Sequence, residues 1–306
     1  MATNSSFQLF SSSDEKGAPG LGLAFLDSFE PALPPPPPPV EVFSSEMPYS
    51  VKFTVEQVNV GELTLFKGRV STKEVLGLSN SDLVPGVYEG GLKLWEGSLD
   101  LIKSLHSEIQ NGNLSFKGKR VLELGCGHGL PGIFACLKGA SVIHFQDFNA
   151  EVLQCLTIPN VKANVLEKSH RMGMGETNSD AEAEVRFFAG DWGEVDQLLP
   201  QGHDKEKELT CSSECDAIDG YDVVLMAETI YSISSQRSLY GLIKKCIRNP
   251  HGIVYMAAKK HYFGVGGGTR QFLSMVEKDG VLTSKLVCEV TDGSSNLREV
   301  WKLSCK

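Results

Sequence analysis

Residues 120–132 read RVLELGCGHGLPG: a short apolar run, an acid within it, and glycines crowded at its end. Val121, Leu122 and Leu124 suit a buried parallel strand. Gly125, Gly127 and Gly129 let the backbone turn sharply against a ligand, and Leu130 to Lys138 is predicted to be a helix whose N-terminus faces that ligand. This is the shape of a nucleotide-cofactor site. Gly127, Gly129 and Gly132 also satisfy G-x-G-x-x-G, the dinucleotide fingerprint, so the glycines alone leave the cofactor open. Glu123, two residues before the first glycine, is the discriminator: an acid there accepts from the charged amino group of S-adenosylmethionine and repels a pyrophosphate.

Composition narrows the class. The chain has 306 residues, of which 41% are apolar, ordinary for a globular protein and enough for one large α/β domain with appendages. No apolar run approaches the roughly 18 to 20 residues that span a bilayer, and the N-terminus lacks the basic-then-hydrophobic order of a signal peptide. A cytosolic or nuclear chain with no membrane partner is the expectation. The eight cysteines are scattered, so reduced thiols are expected; Cys211 and Cys215 form an isolated C-x-x-x-C that implies no metal site. Net charge is −9 and uneven: residues 151–220 carry 15 acids against 6 Lys or Arg, whereas residues 251–306 carry 8 basic against 5 acidic. That acidity suits a solvated face or steering of a basic protein, and disfavours nucleic acid as the main partner.

Residues 1–45 are rich in Ser, Gly and Pro and include the unbroken run Pro34 to Pro39, so they are expected to be a disordered tail ahead of a domain at 46–306. Val51 to Val60 alternates like a half-buried strand. Leu92, Trp95, Leu99 and Ile102 recur at helical spacing, which predicts an amphipathic helix from Leu92. The preceding VPGVYEGG is too glycine-rich for a helix and reads as a loop wrapped over the sheet edge or the cofactor. Ser141 to Gln146 is a second strand, ending in Asp147 where a ribose diol is held. A helix from Asn149 to about Thr157 follows, then a polar insertion near 167–184. Val185 to Ala189 is a third strand, closing on Gly190, Asp191 and Trp192, an acid and an aromatic suited to adenine. After another insertion near 201–220, Tyr221 to Met226 forms a strand ending in Ala227, Glu228, Thr229 and Ile230, at the edge where α/β sheets place substrates. Gly252 to Ala257 is a fifth strand, Lys259 to Thr269 a flexible loop before a helix, and Val281 to Val290 with Leu297 to Ser304 a hairpin turning at Asp292 and Gly293. This alternation predicts an α/β fold with a seven-stranded Rossmann-like class I methyltransferase sheet and a C-terminal antiparallel hairpin.

Taken together, GVYEGGLKLWE at 86–96, LELGCGHGLPG at 122–132, HFQDFN at 144–149, AETIY at 227–231 and HYFGVGGG at 261–268 resemble the histidine protein methyltransferases, over roughly residues 80–306. The resemblance implies an S-adenosyl-L-methionine-dependent enzyme that methylates the tele nitrogen of a protein histidine, characteristically in a large-subunit ribosomal protein. It implies cofactor contacts at Lys93, Leu94, Trp95, Glu96 and Gly97, at Gly125, and at Gln146, Asp147 and Phe148. It further implies that Gly190, Asp191 and Trp192 hold the adenine and that Ala227 lies beside the methionine moiety, where the family pattern has a serine. Glu123 and Gly127 join this set from the reading of the glycine loop. A monomer in cytoplasm and nucleus is the matching expectation.

Imidazole, with an ordinary pKa of about 6.5, is mostly neutral at pH 7, while a lysine at about 10.4 must first lose a proton at a cost of about 4–5 kcal/mol. A histidine enzyme therefore needs an acceptor that fixes the imidazole tautomer. Glu228 is the expected acceptor, with Tyr231 and His261 as possible partners. A lysine methyltransferase would share every cofactor residue, and a binding escort for ribosomal proteins would share the pocket without turnover. A dinucleotide oxidoreductase would need a proton relay that is not evident.

Overall fold

The computed structural model describes residues 35–44, 52–79, 81–166, 183–200, 220–291, 293 and 297–306. Most of both polar insertions, Cys211, Cys215 and Asp292 lie outside the described residues, as does the chain before Pro35.

The strands are β1 (Val40–Val42), β2 (Thr54–Val60), β3 (Leu63–Arg69), β4 (Arg120–Leu124), β5 (Val142–Asp147), β6 (Glu184–Ala189), β7 (Val223–Ala227), β8 (Ile253–Lys259), β9 (Leu282–Val290) and β10 (Arg298–Cys305). Eight of them form one sheet in the order β1-β6-β5-β4-β7-β8-β10-β9. β6, β5, β4, β7 and β8 are mutually parallel. β10 runs antiparallel between β8 and β9, which is the terminal hairpin folded into the sheet. Seven of these strands are those expected.

The eighth, β1, corrects the reading of residues 1–45 as a wholly disordered tail. It pairs antiparallel with the outer edge of β6. Three residues behind a proline run give no periodic signal, and an edge position tolerates the prolines that precede it. The alternating segment near Val51 is a strand outside that sheet: β2 pairs with β3 in a separate two-stranded sheet.

Helices α1 (Thr72–Leu76), α2 (Glu96–Gln110), α3 (Leu130–Leu137), α5 (Ile233–Cys246) and α6 (Thr269–Asp279) are regular. The helical stretch between α3 and β6, here α4, runs from Ala150 to Leu166 and widens to π-type turns at Leu153–Thr157 and Lys162–Leu166. Strand alternation sends Val121 of β4 to a core with Leu101, Ile102 and Leu105 of α2 and Ile133 and Phe134 of α3. It sends Leu122 and Leu124 to a core with Leu239 and Ile243 of α5 and Phe272 and Val276 of α6. Both faces of the sheet are therefore covered, which is what a continuous apolar run in a parallel strand requires. Each such Leu, Ile or Phe contributes about 1.5–3 kcal/mol by leaving water.

α2 begins at Glu96, not at Leu92. Trp95 precedes it in extended conformation, while Leu92 packs with Tyr88, Val152 and Leu156 in a separate small cluster, and its N–H donates to the Tyr88 hydroxyl at 3.0 Å. Its helical spacing to Trp95 is a coincidence of two different contacts.

Candidate active site

At the carboxyl end of β4 the chain enters left-handed backbone at Gly125, Gly127 and Gly129, with φ of 58°, 47° and 68°. Gly127 needs both its freedom and its small size, because a Cβ there would lie 2.9 Å from the Gly91 carbonyl oxygen. The loop is fixed from within. Gly127 N–H donates to Asp147 Oδ2 at 2.9 Å, Gly125 N–H to Gln146 Oε1 at 3.3 Å and Cys126 N–H to the Gln146 carbonyl at 2.8 Å. From α4, the Thr157 hydroxyl donates to the Gly127 carbonyl at 2.6 Å and Asn160 Nδ2 to that of His128 at 2.9 Å. Asp147 also accepts from Asn149 N–H at 3.1 Å, and burial pushes its pKa up to about 6. His128 is buried, with Nε2 3.2 Å from the Leu92 carbonyl; desolvation brings its pKa to about 4 and keeps the ring neutral.

Glu123 departs from expectation. Its Oε2 accepts Gly132 N–H at 2.7 Å, so the carboxylate serves the first turn of α3 rather than standing free for a ligand amino group. Burial raises its pKa well above the ordinary carboxylate value.

One side chain joins the ends of β4, β5 and β6. Gln146 Nε2 donates to the Gly190 carbonyl at 2.9 Å, and Gln146 Oε1 accepts from Trp192 Nε1 at 2.9 Å as well as from Gly125. Asp191 turns the chain by accepting Gly193 N–H at 2.7 Å, and Phe148 is half-buried just past β5. On the approach to α2, Lys93 pairs with Asp82 and lies 4.5 Å above the Trp95 ring. Leu94 packs on the main core, Trp95 Nε1 donates to the Gly90 carbonyl at 3.0 Å, and Glu96 is exposed. Gly97 is buried against Glu228, whose Oε1 would stand 2.7 Å from a Cβ there. Glycine backbone, an acid beside the loop and an indole at the next strand end fit an adenosyl group carried on a sulfonium.

Beyond Gly97 lies a cavity of about 240 Å³ lined by Leu83, Glu89, Gly90, Trp95, Glu228, Tyr231, Lys259, Tyr262, Phe263 and Val265. Glu228 follows Ala227 at the end of β7 and is, among the described residues, the non-glycine with positive φ, at 59°; such strain concentrates at functional positions. It is 7% exposed. Its Oε2 accepts from the Tyr262 hydroxyl, and its Oε1 has no hydrogen-bond partner. Burial raises its pKa, against the opposing effects of the Tyr262 hydrogen bond and the Lys259 charge. Across the cavity the Tyr231 hydroxyl donates to Glu89, whose other oxygen accepts Gly86 N–H at 2.7 Å. Desolvation and the Glu89 charge keep that phenol protonated.

Glu228 and Tyr231 are thus brought together, but His261 is not. It is exposed, its ring 6.3 Å from that of Phe263, and it does not line the cavity. The inward position belongs to Tyr262, because Tyr262 N–H donates to the Gly267 carbonyl and Gly267 N–H to that of Tyr231, each at 2.9 Å, folding the loop back on the end of β7. The HYFGVGGG motif marked the loop; whether His261 or Tyr262 faces inward is decided by that contact. Glu89 was legible only as part of a wrapping loop, and Trp95 as a helix residue and an implied cofactor contact.

No family model matches the chain. A Dictyostelium discoideum histidine protein methyltransferase 1 homolog is 40% identical over 229 residues, 75% of this chain and 62% of that protein. The Bos taurus protein of the same name is 35% identical over 248 residues, 77% of this chain and 62% of its own. The chain is similar to the histidine protein methyltransferase 1 homologs and spans 62% of the length of these two relatives. Among solved structures, the Synechocystis magnesium protoporphyrin IX methyltransferase with bound SAM is 10% identical, covers 69% of this chain and 81% of its own, and has a TM-score of 0.43. Among the described residues no helix is long and apolar enough to cross a membrane, and no group of His, Cys, Asp or Glu is placed to hold a metal ion.

Proposed function

We propose that this chain transfers the methyl group of S-adenosyl-L-methionine to the tele nitrogen of a histidine in a protein substrate. The observation that carries the reading is Glu228: a buried carboxylate on strained backbone, one oxygen held by Tyr262 and the other buried without a partner, at a residue that lines an aromatic-walled cavity at the carboxyl edge of the sheet.

The cofactor supplies a methyl group made electrophilic by its positive sulfur. Everything else falls to the protein. The glycine loop and the Gln146 amide set the backbone against which the adenosyl moiety rests, with Lys93–Gly97 and Ala227 bordering the methionine end. In the acceptor cavity Glu228 Oε1 takes the N–H of the substrate imidazole at Nδ1, which fixes the tautomer and leaves the Nε2 lone pair free to attack. Tyr262 holds the other carboxylate oxygen, so the acceptor keeps its direction. As the methyl group moves, the imidazole becomes a cation whose N–H is already shared with a carboxylate, and this stabilises the transition state. Holding nucleophile and methyl in line supplies the rest. A lysine ammonium has no lone pair until it loses a proton, whereas a neutral imidazole needs only its tautomer fixed.

The acidic stretch at 151–220 supports a basic protein as substrate. With the family resemblance this points to a large-subunit ribosomal protein, met in cytoplasm or nucleus by a monomeric enzyme. The test is incubation of the purified chain with labelled S-adenosylmethionine and ribosomal proteins from cells lacking the homologous activity, followed by mass-spectrometric mapping. Tele-methylhistidine is expected. Methyl-lysine would transfer the chain to lysine chemistry, and cofactor binding without transfer would leave a binding escort.

A further inference from the structure

β1 is short, yet four features fix its position. Val40 stands opposite Ala189 and Val42 opposite Phe187 in an antiparallel ladder. Glu41 takes Nε and Nη2 of Arg186 at 2.8 and 2.7 Å, a two-pronged charged pair that sets direction as well as energy. Val42 is buried in the main core. Pro39 lies against Gly190 so tightly that a Cβ on Gly190 would stand 2.9 Å from that of the proline.

Because β1 runs against β6, the chain enters it from the carboxyl edge of the sheet, beside Gly190, Asp191 and Trp192. A continuous series of contacts leads from there to the glycine loop. Pro39 packs on Gly190, the Gly190 carbonyl accepts from Gln146 Nε2, and Gln146 Oε1 accepts from both Trp192 Nε1 and Gly125 N–H. The amide has one orientation that satisfies all three partners, and that orientation depends on where the Gly190 carbonyl sits.

We infer that β1 and Pro39 hold the adenine end of the cofactor site in shape, with Pro39 a positioning residue that acts through Gly190 and Gln146. This rests on the S-adenosylmethionine reading above. The N-terminal segment is then part of the binding apparatus, and undocking β1 loosens the Trp192 platform and the glycine loop together.

Calorimetric titration of the full chain with S-adenosylhomocysteine tests it, on the unaltered protein, on Glu41→Arg and on Glu41→Arg with Arg186→Glu. Glu41→Arg is expected to weaken binding about fivefold, the scale of a half-exposed ion pair turned repulsive. It should also raise KM for S-adenosylmethionine more than it lowers kcat, and the paired reversal should restore affinity. Binding by Glu41→Arg as tight as in the unaltered chain would overturn the assignment, as would a loss the reversal fails to restore. Failure of the unaltered chain to bind overturns the cofactor reading itself, and the role of β1 with it.

Discussion

The carboxyl ends of β4 and β7 are neighbours in the sheet and are built on opposite plans. After β4, the glycine loop is saturated: Gly125, Cys126 and Gly127 give their N–H groups to Gln146 and Asp147, and Thr157 and Asn160 hold its carbonyls. After β7, Glu228 sits on left-handed backbone with one buried oxygen unpartnered, beside the cavity it lines. A cofactor that must be bound the same way every cycle favours a rigid, internally satisfied cradle. A group that must accept a proton from a visiting side chain has to be left unsatisfied, and the cost of burying it is carried by the surrounding fold.

The two ends should therefore fail differently. The largest effect is expected at the saturated end: Gly127→Ala forces a Cβ against the Gly91 carbonyl at a left-handed residue. It should weaken S-adenosylhomocysteine binding roughly a hundredfold and cost about 1–3 kcal/mol of stability, read by calorimetry and thermal melting. Unchanged affinity would show that the loop is not the cradle.

A smaller and more selective effect is expected from Tyr262→Phe. The Tyr262 hydrogen bond lowers the Glu228 pKa against the rise due to burial, so its removal moves that pKa further up. Glu228 accepts only as the carboxylate, so activity lost on acidification should be lost at a higher pH than in the unaltered chain. At neutral pH kcat should fall about tenfold while cofactor affinity holds. A pH–rate profile with an unmoved acidic limb would separate Tyr262 from Glu228.

The same contrast explains what could be read in advance. The β4 loop was legible because its signal is local: glycines that permit positive φ, a periodic apolar strand before them and a helix after. The parallel sheet and terminal hairpin were legible for the same reason. β1 was not, since three residues beside prolines carry no periodicity and its stability comes from Arg186 and the core. Glu123 was read as facing a ligand because it stands two residues before the first glycine, yet strand alternation turns it toward Gly132 in α3. Between His261 and Tyr262, adjacent rings on one loop, the choice is made by backbone bonds linking Tyr262, Gly267 and Tyr231. Such long-range contacts have no signature in composition or spacing.

The most direct measurement pairs two readouts on Glu228→Gln: S-adenosylhomocysteine affinity by calorimetry and single-turnover methyl transfer to histidine. The expected result is affinity within about twofold of the unaltered chain and transfer slowed about a hundredfold, since the cradle is intact and the acceptor is not. Full transfer by Glu228→Gln would contradict the assignment of the unpartnered carboxylate as the group that orients the histidine.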